Sequence, residues 1–165
     1  MENSSRNSSA AESHGPVAGN VRLLVIGYGN TLRSDDGTGP AVAESVRARD
    51  WPGVDSLACP QLTPELAEPL ARARAAVFVD ASLERSPGVV LQPLAPRESS
   101  RIFAHALDPA TLLALSRDLY GRAPRAWSLT VPAASVEFGE TLSPAARWGA
   151  ARALRKLSQL NSLLE

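Results

Sequence analysis

The sequence predicts a three-layer α/β/α sandwich on a mostly parallel sheet of about five strands, and three observations carry the prediction. Strand and helix signals alternate along the chain in the order β-α-β-α-β-β-α-β-α. Two of the strand runs, "LLVIGY" and "AAVFVD", are apolar at consecutive positions, which marks strands covered on both faces. Proline recurs beside the starts of helical segments, at Pro40, Pro64, Pro109 and Pro144, where its missing N–H costs no hydrogen bond.

Taken in order, Arg22–Tyr28 is the first β-rich run, and Gly39-Pro40 opens a helix that extends through Arg49. Val54–Cys59 reads as the second strand. Thr63 is the expected N-cap of the next helix, Pro64 its first residue, and Pro69 a kink within it. Ala75–Asp80 is expected in the middle of the sheet, ending in an acid. Gly88–Leu94 follows after a loop too short for a crossover helix, so it is expected to pair antiparallel. Asp108-Pro109 caps a helix to Tyr120-Gly121, and Trp127–Val131 makes the last strand. Ser143-Pro144 caps the final helix, with Trp148, Ala151, Leu154, Leu157, Leu160 and Leu164 expected on its core face.

The chain has 165 residues, 44% of them hydrophobic, which suits one domain with a single core. Residues 1–20, "MENSSRNSSAAESHGPVAGN", lack the apolar stretch of a signal peptide and read as a disordered N-terminal tail, leaving 21–165 as the domain. Seventeen basic residues balance seventeen acidic ones with no long like-charge run, so nucleic acid is not an expected partner. No apolar run approaches the roughly 20 residues of a membrane span, so no membrane association is expected. The single cysteine, Cys59, has no partner for an internal disulfide, and the location read from this is cytoplasmic.

In such sheets function gathers at the carboxyl ends of the strands. The first loop, "GYGNTLRSDDGTG", places Asp35 and Asp36 where a phosphate-binding loop would present backbone amides. The dinucleotide fingerprint also fails, because Leu32 falls at its third glycine and Cys59-Pro60-Gln61 stands where a ribose-binding acid would follow the second strand. There is no P-loop, no G-x-S-x-G elbow and no H-E-x-x-H helix. What remains is cation coordination. Asp36, Asp80 and His105 can all face the carboxyl edge, and two carboxylates with one imidazole suit a divalent ion such as nickel or zinc. The plainer readings stand beside this one: either loop acid can satisfy loop amides, Asp80 can cap a neighbouring loop, and His105 can be a surface histidine.

The loop motif resembles the opening motif of the hydrogenase maturation proteases, the endopeptidases that trim the C-terminal extension from the large subunit of nickel–iron hydrogenases. "VFVDAS", "HALDPATLLALSRDLYG" and "LTVPAASVEFGETLSP" agree in order and spacing, and the likeness runs from Val21 to Leu160. The resemblance implies that Asp36, Asp80 and His105 are the metal-contacting residues, that the protein is an aspartic-type endopeptidase acting as a monomer, and that it holds no permanently bound cofactor. The nickel is carried by the substrate, a hydrogenase large-subunit precursor. Asp36 is the expected proton acceptor for an attacking water. One segment departs from the family, which commonly has a Gly-Thr-rich loop where this chain has Cys59-Pro60-Gln61-Leu62-Thr63-Pro64. Two other functions remain compatible with the residues: a non-catalytic nickel-centre binding module of the same fold, and a Rossmann-like nucleotide-binding oxidoreductase.

Overall fold

The computed structural model describes residues 21–84, 88–98 and 107–165. The tail expected over 1–20 and the expected ligand His105 lie outside the described residues. The elements are β1 (Leu23–Tyr28), α1 (Thr38–Arg49), β2 (Val54–Cys59), α2 (Ala67–Arg72), β3 (Ala75–Ser82), β4 (Val90–Leu94), α3 (Pro109–Tyr120), β5 (Arg125–Pro132) and α4 (Pro144–Leu163). They form a five-stranded sheet in the order β2-β1-β3-β5-β4. All neighbours are parallel except β4, which pairs antiparallel with β5 at the edge. The expected sandwich, the central β3 and the antiparallel β4 are all present.

The consecutive apolar residues of β1 and β3 split between two cores. Leu23, Val25, Val77 and Val79 point to one face, where Val42 and Val46 of α1 and Ala153, Leu157 and Leu160 of α4 cover them. Leu24, Ile26, Ala76 and Phe78 point to the other, under Leu70 of α2 and Leu112 and Leu113 of α3. A strand buried on both sides has no polar face to show in its sequence, which is why neither run alternates.

Three local expectations are corrected. Ahead of α2, Pro64–Leu66 form a 3-10 turn and Thr63 makes no side-chain cap. Pro69 lies inside the six-residue α2. Without an N–H, Pro69 cannot bond back one α-turn, and the chain runs as a tighter turn before α2 instead of kinking one long helix. The third strand passes through Asp80 to Ser82, so Asp80 sits inside it, paired with Thr130. In α4 the buried face is Ala146, Gly149, Ala153, Leu157, Leu160 and Asn161. Trp148 is 68% exposed, and Ala151 is exposed too. A Cβ on Gly149 would stand 2.4 Å from Val131 Cγ1, so a stripe of small residues lies against β5 and turns the neighbouring Trp148 outward.

Candidate functional site

The chain leaves β1, lays β2 on one side of it and then returns to lay β3 on the other. The carboxyl ends of β1 and β3 therefore flank the point where the sheet changes direction, which opens a crevice in folds of this kind. α1 starts directly over that point. A Cβ on Gly39 would approach the carbonyl oxygens of both Tyr28 and Val79 to 2.5 Å, and one on Gly27 would meet the Gly39 oxygen at 1.9 Å. The glycines of the motif thus serve close backbone contact between α1 and two strands.

The loop between β1 and α1 turns back on itself at Gly29, whose φ of +148° falls where side chains are disfavoured. A Cβ there would meet the Asp36 carbonyl oxygen at 1.9 Å, so the loop packs backbone against backbone at this residue. The Asn30 amide donates to Asp36 Oδ2 at 2.7 Å, and the Leu32 amide donates to Asn30 Oδ1 at 2.9 Å. Asp36 remains half-exposed at the top of the crevice.

Its neighbour Asp35 is fully buried. Its carboxylate accepts from the amides of Ala134 (2.7 Å), Ser135 (3.3 Å) and Ser143 (2.7 Å) and from the Ser143 hydroxyl (2.8 Å). Burial works against the charge, but the donors of Ser143, Ala134 and Ser135 outweigh it and hold the carboxyl below the usual carboxylate range. Ser143 is also the N-cap of α4, so one carboxylate ties the first loop to the last helix. Further bonds close the seam: the Ser34 amide to the Gly139 oxygen (2.8 Å), the Gly139 amide to the Leu32 oxygen (2.9 Å) and the Asp35 amide to the Ser135 oxygen (3.1 Å). Asp36 accepts one loop amide, that of Asn30, whereas Asp35 is saturated by three amides and a hydroxyl.

Asp80 stands on β3, half-buried, beside Tyr28 at the end of β1. The Tyr28 hydroxyl donates to Asp80 Oδ2 at 3.2 Å. Burial, with the Asp36 charge adding to it, pushes the Asp80 carboxyl up against the opposing hydrogen bonds from Tyr28 and the Ala81 amide. Burial and the charge of Asp80 likewise keep the Tyr28 phenol protonated far above its ordinary range, with smaller contributions from Asp108 and Cys59. Among the described residues no Lys or Arg pairs with Asp36 or Asp80. Among the described residues the crevice therefore holds two mutually repelling carboxylates with no cation paired to either.

The segment containing His105 is bounded by fixed chain on both sides. Arg97 bonds to the Asp108 carboxylate and, at 2.8 Å, to Thr111 Oγ1, while Asp108 Oδ1 caps α3 by accepting from the Thr111 amide at 2.7 Å. Asp108 lies three residues past His105 and is close enough to Tyr28 to influence its phenol. Among the described residues no group of three or more His, Cys, Asp and Glu side chains is placed to hold a metal, so Asp36 and Asp80 are the two expected ligands that can be placed. Cys59, opposite Tyr28 on β2, contacts the Gly27 oxygen at 3.9 Å, and burial pushes its thiol up, away from a nucleophilic thiolate. Sequence reasoning missed Tyr28. The signal available to it was the last residue of the first strand lying level with the acid of the third.

No protein-family profile matches the chain, and no curated protein matches it in sequence. Solved structures do match. The hydrogenase maturating endopeptidase HybD from E. coli aligns with a TM-score of 0.65 at 23% identity, over 86% of this chain and 93% of that one. The NiFe hydrogenase maturation protease HycI from Thermococcus kodakarensis KOD1 aligns with a TM-score of 0.65 at 22% identity, over 88% and 94%. The hydrogenase 2 maturation peptidase from Thaumarchaeota archaeon SCGC_AB-539-E09 aligns with a TM-score of 0.65 at 22% identity, over 87% and 99%. This chain has the fold of the solved hydrogenase maturation proteases along nearly the whole length of each.

Proposed function

We propose that the protein is an endopeptidase that removes the C-terminal extension of a nickel–iron hydrogenase large-subunit precursor after nickel insertion, meeting the substrate's nickel through Asp36, Asp80 and His105. The observation that carries this reading is the pair of uncompensated carboxylates at the switch point of the sheet. Like charges held together without a cation favour binding one, and they do so here on a fold shared with proteases of that class. Nickel held by the substrate would polarise the peptide carbonyl. Asp36 accepts the proton of the attacking water, the water oxygen bonds to the carbonyl carbon, and the C–N bond breaks as the leaving amine takes up a proton. Asp80, with Oδ2 engaged by Tyr28, offers its other oxygen as a ligand. A nucleotide-binding oxidoreductase is poorly served by the same loop, because the Asn30 amide already belongs to Asp36.

The test is incubation with nickel-loaded and nickel-free large-subunit precursor from the same cell, reading subunit mass before and after. Shortening of the loaded precursor alone is expected, and it is expected to survive treatment of the enzyme with chelator that is then removed. Binding of the loaded precursor without shortening would instead make the protein a nickel-centre binding module. Cleavage that needs metal returned to the enzyme, and then proceeds equally on nickel-free precursor, would make it an ordinary metalloprotease.

A further inference from the structure

The outer face of α4 carries a surface the crevice does not use. From Pro144 to Leu163 the helix holds Arg147, Arg152, Arg155 and Lys156 and no Asp or Glu, in a chain whose charges sum to zero. The four are spread along the helix, so they form no run in the sequence. Among the described residues none of them is in an ion pair.

Trp148 stands on this face, and Trp51, partly buried against the core, borders it. Trp148 lines a cavity of about 310 Å3 with Pro144, Arg147 and Ala151. Trp51, just past the end of α1, lines a second of about 380 Å3 with Arg49, Arg155 and the same Ala151. The two share Ala151 and so adjoin along α4, and among the described residues no acidic side chain lines either part. One end is tied to the loop that carries Asp36: Pro144 follows Ser143, which Asp35 holds by both its amide and its hydroxyl.

We propose that this groove docks an acidic, extended segment of the partner protein that carries an apolar or aromatic side chain. Trp148 and Trp51 form the walls for that side chain, and Arg49, Arg147 and Arg155 meet the carboxylates. Exposed tryptophan beside unpaired arginine is the composition of interface anchors, and arginine binds carboxylates through a two-pronged fork. A membrane surface suits the face less well, because the apolar side of α4 is already packed on the sheet and Trp148 is flanked by arginine instead of by further large apolar side chains. A nucleic acid would need a denser row of cations to follow its phosphates. That the partner is the precursor, with the groove leading chain away from the scissile bond, rests on the protease reading above.

The probe is a fluorescein-labelled peptide of Glu and Asp with a central Phe, about nine residues long. That length covers α4, which rises ~30 Å, at ~3.3 Å per extended residue. Wild-type protein is expected to bind it in a fluorescence anisotropy titration, and the Gln/Asn version of the peptide about tenfold more weakly. Trp148→Ala and the double change Arg147→Glu/Arg155→Glu are expected to lose about tenfold or more, and Arg147→Lys/Arg155→Lys, which keeps the charge and loses the fork, about threefold to fivefold. Thermal melts confirm that each variant is folded, as expected for exposed positions. On the loaded precursor the same changes should raise KM with kcat unchanged. Equal peptide binding by wild type and the charge-reversed variant would overturn the proposal. So would binding of phosphatidylserine vesicles or a single-stranded oligonucleotide that depends on these residues when the peptide does not bind. If wild type cleaves the precursor and the variants share its KM, the groove fails and the protease reading stands. If no precursor is cleaved, the protease reading fails and the peptide titration still decides the groove.

Discussion

Asp35 and Asp36 are neighbours in the sequence and opposites in the fold. Asp35 is sealed away with donors on both oxygens, and the loops it joins lie about a hundred residues apart in the chain. Asp36 keeps one backbone amide, stays half-exposed, and adds its charge to that of Asp80 across the crevice. A saturated carboxylate stabilises the native state because its unfolded alternative, hydration by water, is no better. An undersaturated pair raises the energy of the folded state until a cation arrives. Stability and reactivity are thereby divided between adjacent residues.

The strongest way to break this comparison is to remove the open carboxylates. Asp36→Asn, Asp80→Asn and His105→Ala are each expected to lower processing of the loaded precursor by about a hundred- to ten-thousand-fold, measured as the rate of subunit shortening. Their melting temperatures should stay close to wild type, and Asp80→Asn should gain slightly at neutral pH. The sign follows from Asp80's raised pKa: ionisation above that value costs the folded state, and the cost disappears as pH falls through it. A stability loss from Asp36→Asn as large as that from Asp35→Asn would mean the two acids are not divided in this way.

Asp35 should show the reverse pattern. Asp35→Asn exchanges an acceptor for a donor facing the amides of Ala134 or Ser143, at a cost of about 3 kcal/mol, or a melting point lower by roughly 6–12 °C. Cleavage measured well below that melting point should suffer less than in Asp36→Asn. Because the Asp35 carboxyl is held below its unfolded pKa, its contribution is complete above the ordinary carboxylate range and is lost as pH falls through the folded value. Melts of wild type and Asp35→Asn, and of wild type and Asp80→Asn, should therefore both converge in acid, while at neutral pH Asp35→Asn melts lower than wild type and Asp80→Asn slightly higher.

This division shows what the sequence could and could not disclose. The apolar runs of β1 and β3, Pro109 and Pro144 at helix starts and the short connection into β4 are local signals, and each produced the element expected of it, whereas Pro64 opened a 3-10 turn instead of a helix. The place of Asp36 in the first strand–helix loop and of Asp80 towards the carboxyl end of the third strand was legible because both follow from the order of elements along the chain. The roles of Asp35 and Tyr28 were not, because their partners lie on other elements: Ser143 for one, Asp80 for the other. Trp148 was assigned to the core because its spacing from Ala151 fits a helix face. A period fixes the spacing of a stripe and not its direction, and here Gly149 against Val131 sets the direction.

A finer test of the open pair is Tyr28→Phe, which keeps the ring in the core and removes the hydroxyl that engages Asp80 Oδ2. Groups that orient a metal ligand typically matter by about ten- to a hundredfold in affinity. Zinc, used as a probe by isothermal titration, is expected to bind about tenfold more weakly with Tyr28→Phe while the melting point stays near that of wild type. Unchanged zinc affinity would show that Asp80 holds its orientation without the phenol.

The smallest effect is expected from deleting residues 1–19. Among the described residues both core clusters are built from Val21 onward, and the sheet's amino-terminal edge is tied at the start of the domain. The Arg74 amide donates to the Val21 oxygen at 3.0 Å, the Ala75 amide to the Arg22 oxygen at 3.0 Å, and the Arg22 side chain reaches Asn161 Oδ1 at 2.9 Å. Neither Asp35, Asp36 nor Asp80 draws a hydrogen-bond partner from the first twenty residues among the bonds described. The shortened chain should therefore melt within about 1 °C of the full one and cleave at the same rate, since a polar, Ser- and Asn-rich terminus contributes little to either. A drop of several degrees would place part of the tail on the domain. A change in KM alone would place it at the substrate surface, and repeating the peptide titration on the shortened chain would show whether the α4 groove is where it acts.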